Sequence, residues 1–151
     1  MQPSKRLVGF LLASCVSPVL AQTNVGQVLD GGAEKLTAAE FKKQIVGRFI
    51  TGPGMRADSG TIEVVYLDGG VIRGAGAASP LGGALGGGGR YDIEGTWTID
   101  EQDRICQSIR IGNVALAPKC QYWFKQAEKY YLADSDSDRS ARVSIRTVKK
   151  T

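Results

Sequence analysis

The sequence predicts a mainly β domain: an antiparallel up-and-down barrel, or a strongly curled sheet, of about eight strands with one short N-terminal helix. Three observations lead to this fold class. Eight short segments are rich in β-branched and aromatic residues, short polar turns connect several of them, and an apolar stripe of helical period precedes the first. Eight strands that each pair with the next favour closure, because closure removes exposed sheet edges.

The helix is predicted from about Ala38 to Val46. Thr37, with Glu40 three residues later, matches a capping box, in which each side chain bonds the other residue's backbone N–H. The apolar positions then follow one helical stripe, at Leu36, Phe41, Ile45 and Val46.

After Gly47 the apolar period changes to that of strands, which are predicted over residues 48–51, 61–67, 71–75, 90–99, 104–111, 121–126, 129–133 and 142–148. The turn Asp68-Gly69-Gly70 between two apolar runs indicates a hairpin. The fourth strand alternates most clearly, with its apolar residues on one face at Tyr91, Ile93, Trp97 and Ile99. One face of the sheet is therefore expected to be buried and the other exposed.

The first 21 residues have the pattern of a secretory signal peptide. Lys5 and Arg6 precede an uncharged apolar run over residues 7–20, and the small residue Ala21 follows it. The run, at about 14 residues, is shorter than the roughly 20 that a membrane-spanning helix needs. We therefore expect export to the periplasm or secretion, with a mature chain that begins at Gln22.

The rest of the chain is expected to be a flexible segment over 22–35 and one barrel-like domain over 36–151.

The leader also leaves an alternative open. The three residues before Cys15 resemble a bacterial lipobox, in which the cysteine carries a lipid and becomes the new N-terminus. The protein would then be anchored to a membrane surface through Cys15, with no transmembrane segment.

Charge and residue types exclude several function classes. Loss of the leader leaves 17 basic against 15 acidic residues, and these are interspersed, so nucleic acid is not an expected partner. The chain has no histidine, which excludes Ser-His-Asp and Cys-His catalysis and the commonest zinc ligand. We predict a protein that is not an enzyme and has no catalytic residues, no cofactor and no metal.

Two acidic patterns are interpreted as ordinary surface. Asp92 and Glu94 share the polar face of a strand, where alternate charged residues solubilise a sheet. Asp134, Asp136 and Asp138 repeat the opening spacing of a calcium loop. That loop also needs a glycine at its sixth position and a glutamate at its twelfth, which this chain lacks. A solvated hairpin loop is therefore the prediction there.

The mature chain keeps two cysteines, Cys106 and Cys120. An even pair in an exported domain is typical of a disulfide, so we predict that they are bonded.

Eight of the chain's 20 glycines fall between Gly74 and Gly89. The segment is not a phosphate-binding loop, because no Gly-Lys-Ser/Thr opens a helix. A flexible insertion between the third and fourth strands is one interpretation, and a mobile flap over the barrel mouth is the other.

Short motifs resemble those of small secreted proteobacterial β-domains of unknown function, in which a Gly-Thr-Trp strand is followed by a pair of cysteines. The matching positions are Leu36, Thr37, Glu40, Gly47, Arg48, Tyr66 to Gly70, Val71, Gly74, Gly95-Thr96-Trp97, Arg104-Ile105-Cys106, Cys120 and Tyr122. Gly95-x-Trp97 is also distantly similar to the lipocalin or calycin pattern. Such a tryptophan either fills the end of a barrel or stacks on a ligand.

Two functions are compatible with these features. The first is a non-catalytic binding module that holds a small apolar or amphipathic ligand in the barrel, with Trp97, Tyr122 and Phe124 at the cavity. The second is an envelope interaction protein, an inhibitor or accessory factor that acts on another envelope protein through its loops. An open apolar cavity favours the first function, and a filled barrel the second.

Overall fold

A computed structural model describes residues 24–54, 60–77 and 89–149. The leader with Cys15, the expected start at Gln22 and most of the glycine-rich segment, residues 78–88, lie outside the described residues. The expectations about processing, the lipid anchor and the flap therefore stay predictions.

The described ranges contain two short helices and ten strands. The helices are α1 (Val25–Asp30) and α2 (Ala38–Gln44). The strands are β1 (Glu34–Lys35), β2 (Phe49–Pro53), β3 (Thr61–Leu67), β4 (Val71–Ala77), β5 (Arg90–Ile99), β6 (Ile105–Ile111), β7 (Val114–Ala115), β8 (Lys119–Gln126), β9 (Lys129–Ala133) and β10 (Val143–Val148). None of the described helices is long and apolar enough to span a membrane.

Eight of the strands form a closed antiparallel barrel, which confirms the predicted fold class. Strands β2 to β6 pair in chain order, β8 to β10 continue the series, and β10 pairs back with β2. The two short strands lie beside the ring, β7 on β6 and β1 on β8. The ring closes between β6 and β8, which pair at three positions: Ile105 with Gln121, Cys106 with Cys120, and Gln107 with Lys119.

Cys106 and Cys120 form a disulfide with an S–S distance of 2.01 Å, as predicted. They occupy the central pair of the β6–β8 contact. One of the two shortest pairings in the ring is therefore also covalently linked.

Helix α2 begins with the capping box that the sequence predicts. The Thr37 hydroxyl accepts from the Glu40 backbone N–H at 3.3 Å, and the Glu40 carboxylate accepts from the Thr37 backbone N–H at 2.8 Å. The helix ends at Gln44, two residues before the predicted end. Ile45 caps it and is still fully buried.

Phe41 of α2 inserts into one end of the barrel. Its ring centroid lies 5.5 Å from that of Tyr66, 5.5 Å from that of Trp97 and 5.1 Å from that of Trp123. These three side chains come from β3, β5 and β8, so one helical residue contacts strands on several sides of the ring. Such tilted and edge-to-face contacts add to the area that the rings bury. Helix α2 thus covers this end of the barrel.

Helix α1 packs on the outside of the barrel, where the sequence predicted a flexible segment over 22–35. Residues 24–35 instead carry α1 and β1. Val25 and Val28 are fully buried in a second apolar cluster with Phe124 of β8 and Tyr131 of β9. The burial of α1's apolar side against the sheet orders this segment, although the helix itself has only six residues.

Strand β4 is two residues longer than predicted and takes in the first glycines of the glycine-rich segment, Gly74 and Gly76. A Cβ atom on Gly76 would collide with the ring of Tyr91 in the neighbouring strand. Glycine at this position therefore lets an aromatic side chain lie against the strand.

The disulfide should contribute measurably to stability. Replacement of both Cys106 and Cys120 with Ser should lower the free energy of unfolding by about 2 to 4 kcal/mol, because the bridge closes a loop of about 15 residues in the unfolded chain. Urea denaturation under non-reducing conditions measures the change. Unaltered stability of the double variant would contradict the prediction.

Phe41→Ala should lower the free energy of unfolding by about 3 to 5 kcal/mol, because it removes the ring that three other aromatic side chains contact. The matched control is Lys42→Ala, at an exposed position of the same helix, which should change stability by no more than about 0.5 kcal/mol. Similar losses in the two variants would show that α2 does not act through the barrel interior.

Candidate functional site

A cavity of about 210 Å³ lies inside the barrel, toward the end opposite α2. Its apolar wall comes from five strands and includes Ile50, Ile62, Val64, Ile109, Trp123 and Leu132. Exposed Ala117 and Lys119 lie at its mouth, beside Gly54. The interior is therefore not completely filled by side chains.

One polar pair in the lining is satisfied internally. The Tyr66 hydroxyl donates to the Gln107 amide oxygen at 2.9 Å, and both residues are buried. Burial raises the pKa of Tyr66, while the positive charge of Arg146 acts in the opposite direction. The phenol is thus held protonated as a hydrogen-bond donor.

Arg146 projects into the same cavity from β10 and is only 6% exposed. Its Nη1 donates to the Ser144 hydroxyl and to the Ile145 carbonyl oxygen, both at 2.8 Å. Desolvation lowers the pKa of Arg146, although an arginine stays charged at neutral pH. None of the carboxylates in the described ranges forms an ion pair with it.

The neighbouring strand leaves space for this guanidinium. A Cβ atom on Gly52 of β2 would lie 2.8 Å from both Cδ and Nη1 of Arg146. It would also approach the Ile145 carbonyl oxygen to 2.6 Å. Glycine at position 52 thus permits the buried position of Arg146.

Trp123 contributes an indole N–H to the same cavity. The side chain is 1% exposed and lines the cavity. Its indole Nε1–H has no hydrogen-bond partner within the described part of the chain. The cavity lining therefore combines a cation that has no ion-pair partner among the described residues with an N–H donor that they leave unused.

The three residues predicted to contact a ligand lie elsewhere. Trp97 is inside the barrel, but its Nε1 donates to the Leu67 carbonyl oxygen at 3.0 Å and its ring packs on Phe41 at the covered end. Tyr122 and Phe124 belong to the outer cluster beneath α1. The structure does not bring these three side chains together at the cavity.

The sequence of strand β8 explains why the prediction placed Tyr122 and Phe124 at the cavity, because residues 122–124 are all aromatic. Successive side chains of a strand point to opposite faces, and a continuous aromatic run does not indicate which face is inward. The observed pairing places Trp123 inside, with Tyr122 and Phe124 outside. Sequence reasoning also missed Arg146, because a charged residue in an alternating strand is ordinarily expected on the exposed face.

The acidic patterns do not form a metal site in the described ranges. Asp136 pairs with Lys35 at 2.8 Å, and Asp134 pairs with Lys119 at 3.0 Å. Asp138 accepts from the hydroxyl and the backbone N–H of Ser140, which lowers the pKa of its carboxyl. The one cluster of potential ligand atoms in the described residues is Asp100 with Cys106 and Cys120, and those cysteines are bonded to each other.

Comparison of the chain with protein-family models, with curated proteins and with solved structures finds no match in any of the three. The resemblance to secreted proteobacterial domains and the distant likeness to lipocalins remain expectations from short motifs. The cavity therefore has to be interpreted from its own chemistry.

Arg146→Met should raise the free energy of unfolding of the ligand-free protein by about 1 kcal/mol, because it replaces a desolvated cation with an apolar side chain. Urea denaturation measures the change. Arg142→Met, the same substitution at an exposed position just before β10, should alter stability by no more than about 0.5 kcal/mol. Destabilisation of Arg146→Met beyond this control would mean that the two Nη1 hydrogen bonds outweigh the cost of desolvation.

Proposed function

We propose that this protein is an exported, non-catalytic binding protein that holds one small amphipathic molecule inside its barrel. The observation that carries the proposal is the cavity of about 210 Å³, whose lining combines an apolar wall with several polar side chains. An eight-stranded barrel either fills its interior with side chains or holds one small ligand. Sites with apolar walls and a few placed polar groups are typical of ligand binding.

The size of the cavity limits the ligand. A volume of about 210 Å³ corresponds to roughly seven water molecules at their volume in the liquid. It is below the range of about 300 to 1,000 Å³ that is typical of drug-sized ligands. A short aliphatic chain or a single ring with one polar group fits this volume.

The polar lining supports binding over catalysis. Tyr66 is engaged with Gln107, and its raised pKa makes it a poor base near neutral pH. The remaining polar residues of the lining are Gln121, Lys119, Ser144 and Arg146. Donors and a fixed cation of this kind suit the recognition of a polar head group.

The expected leader and the disulfide together support a periplasmic or secreted location, because disulfides persist in oxidising compartments. A lipid at Cys15 would place the same barrel on a membrane surface. An interaction protein that acts through its loops is the alternative function, and a filled barrel would have favoured it. The cavity supports the binding module instead.

A variant in which the mouth of the cavity is blocked tests the proposal. Hexanol, a small neutral amphiphile, should cause saturable chemical-shift changes at backbone amides of cavity-lining residues in an NMR titration. Ala117→Trp places a large ring at the mouth and should weaken this binding by at least about tenfold. The matched control is Ala115→Trp, two residues away and outside the lining, which should leave the affinity unchanged.

If hexanol causes no chemical-shift changes, or if Ala117→Trp leaves these changes intact, ligand binding inside the barrel would be contradicted. Native mass spectrometry of the protein isolated from its own envelope is a complementary measurement. A retained small mass that Ala117→Trp abolishes would identify the natural ligand directly.

A further inference from the structure

The buried cation Arg146, which has no ion-pair partner within residues 24–54, 60–77 and 89–149, points to the chemistry of the ligand. We propose that the cavity binds a small organic acid whose single carboxylate pairs with Arg146 while its apolar part lies against the aliphatic wall. The inference rests on the proposed function and makes it more specific, because it names the class of ligand.

The first step is the charge of Arg146. The side chain is 6% exposed, and its two hydrogen bonds go to neutral groups, the Ser144 hydroxyl and the Ile145 carbonyl oxygen. Buried charges in proteins are ordinarily paired, because removal of an ion from water is costly. Within the described ranges no carboxylate supplies that pair. A negatively charged ligand would supply it.

The second step is the geometry of the guanidinium. Both hydrogen bonds are made by Nη1, which fixes the group on its own strand. Nε and Nη2 donate to none of the described residues. A guanidinium presents its donors as a planar fork that matches the two oxygens of a carboxylate. The orientation of the group is thus set by the protein, and part of its donor set is left for a ligand.

The third step is the shape of the surrounding cavity. Gly52 leaves the space that the guanidinium occupies. The aliphatic side chains of Ile50, Ile62 and Leu132 line the same cavity. A ligand with an acidic head and a short apolar tail therefore matches both parts of the lining. The unpartnered Nε1–H of Trp123 is a further donor suited to an acceptor oxygen.

The fourth step is the number of charges. Lys119, at the mouth, is the other cation of the lining, and its Nζ already pairs with Asp134 at 3.0 Å. Counting the described residues, one uncompensated positive charge of the lining is then available to the ligand. This balance favours a monocarboxylate over a phosphate ester or a dicarboxylate, which would bring a second negative charge into an apolar site.

The experiment compares hexanoate with hexanol on the full exported protein, by isothermal titration calorimetry at neutral pH. These probes share the same alkyl chain and differ in the charged head. Hexanoate should bind at least about tenfold more tightly, as expected for a hydrogen-bonded charge pair that is shielded from water. This comparison needs no variant.

Arg146→Met should then reduce the affinity for hexanoate by about tenfold or more and leave the affinity for hexanol within about twofold. Arg142→Met, at the exposed position, should change neither affinity. Arg146→Lys keeps the positive charge but lacks the planar fork of N–H donors. It should bind hexanoate with an affinity between those of Arg146→Met and the unaltered protein.

The outcomes separate the two proposals. Equal affinities for hexanoate and hexanol, with both lost in Ala117→Trp, would overturn the acid-binding inference and keep the binding function. Loss of hexanoate binding in Arg142→Met but not in Arg146→Met would also overturn it, because the acid would then bind to the surface. Failure of both probes to bind would overturn the binding function and the inference with it.

Discussion

The position of Phe41 in the end of the barrel is the contact on which the arrangement of the interior depends. One side chain of α2 contacts Tyr66, Trp97 and Trp123 from three different strands. Aromatic rings bury large areas, so this cluster fills the end of the interior beside α2. The cavity lies beyond these rings, with Tyr66 and Trp123 in its lining, and it reaches Ala117 and Lys119 at the mouth. The same contact therefore organises the core and determines which end of the interior stays open.

The outer layer formed by α1 makes strands β8 to β10 different from the rest of the ring. Val25 and Val28 cover the outward side chains of these strands, so Phe124 and Tyr131 are buried outside the barrel. Both faces of β9 are consequently buried over its last four residues. Helix α1 is attached at its end as well, by the ion pair of Asp30 with Arg139. Because α1 covers their outer face, these strands carry buried apolar residues on both faces and do not simply alternate apolar with polar residues.

Within this arrangement Arg146 is the residue whose position is hardest to explain by stability alone. An apolar side chain at the same place would fill a barrel interior without desolvating a charge. The chain instead places a glycine opposite it at position 52 and a hydroxyl beside it at Ser144. Departures from the rules of stable packing are expected at functional sites, where they serve binding rather than folding. The indole N–H of Trp123, which has no hydrogen-bond partner among the described residues, lines the same cavity.

The sequence by itself indicated an antiparallel barrel or strongly curled sheet of about eight strands, the capping box of α2 and the Cys106–Cys120 bridge. These features follow from local signals: alternation, hairpin turns, a cap and a cysteine count. Only the tertiary structure decided which face of β8 and β10 points inward. Apolar residues stand on both faces of these strands, and α1 covers the outer one. A shift of the strand register by one residue would turn Trp123 outward and its neighbours inward, and it would likewise exchange the faces of Ile145 and Arg146. Packing, rather than the local sequence pattern, decides between these registers.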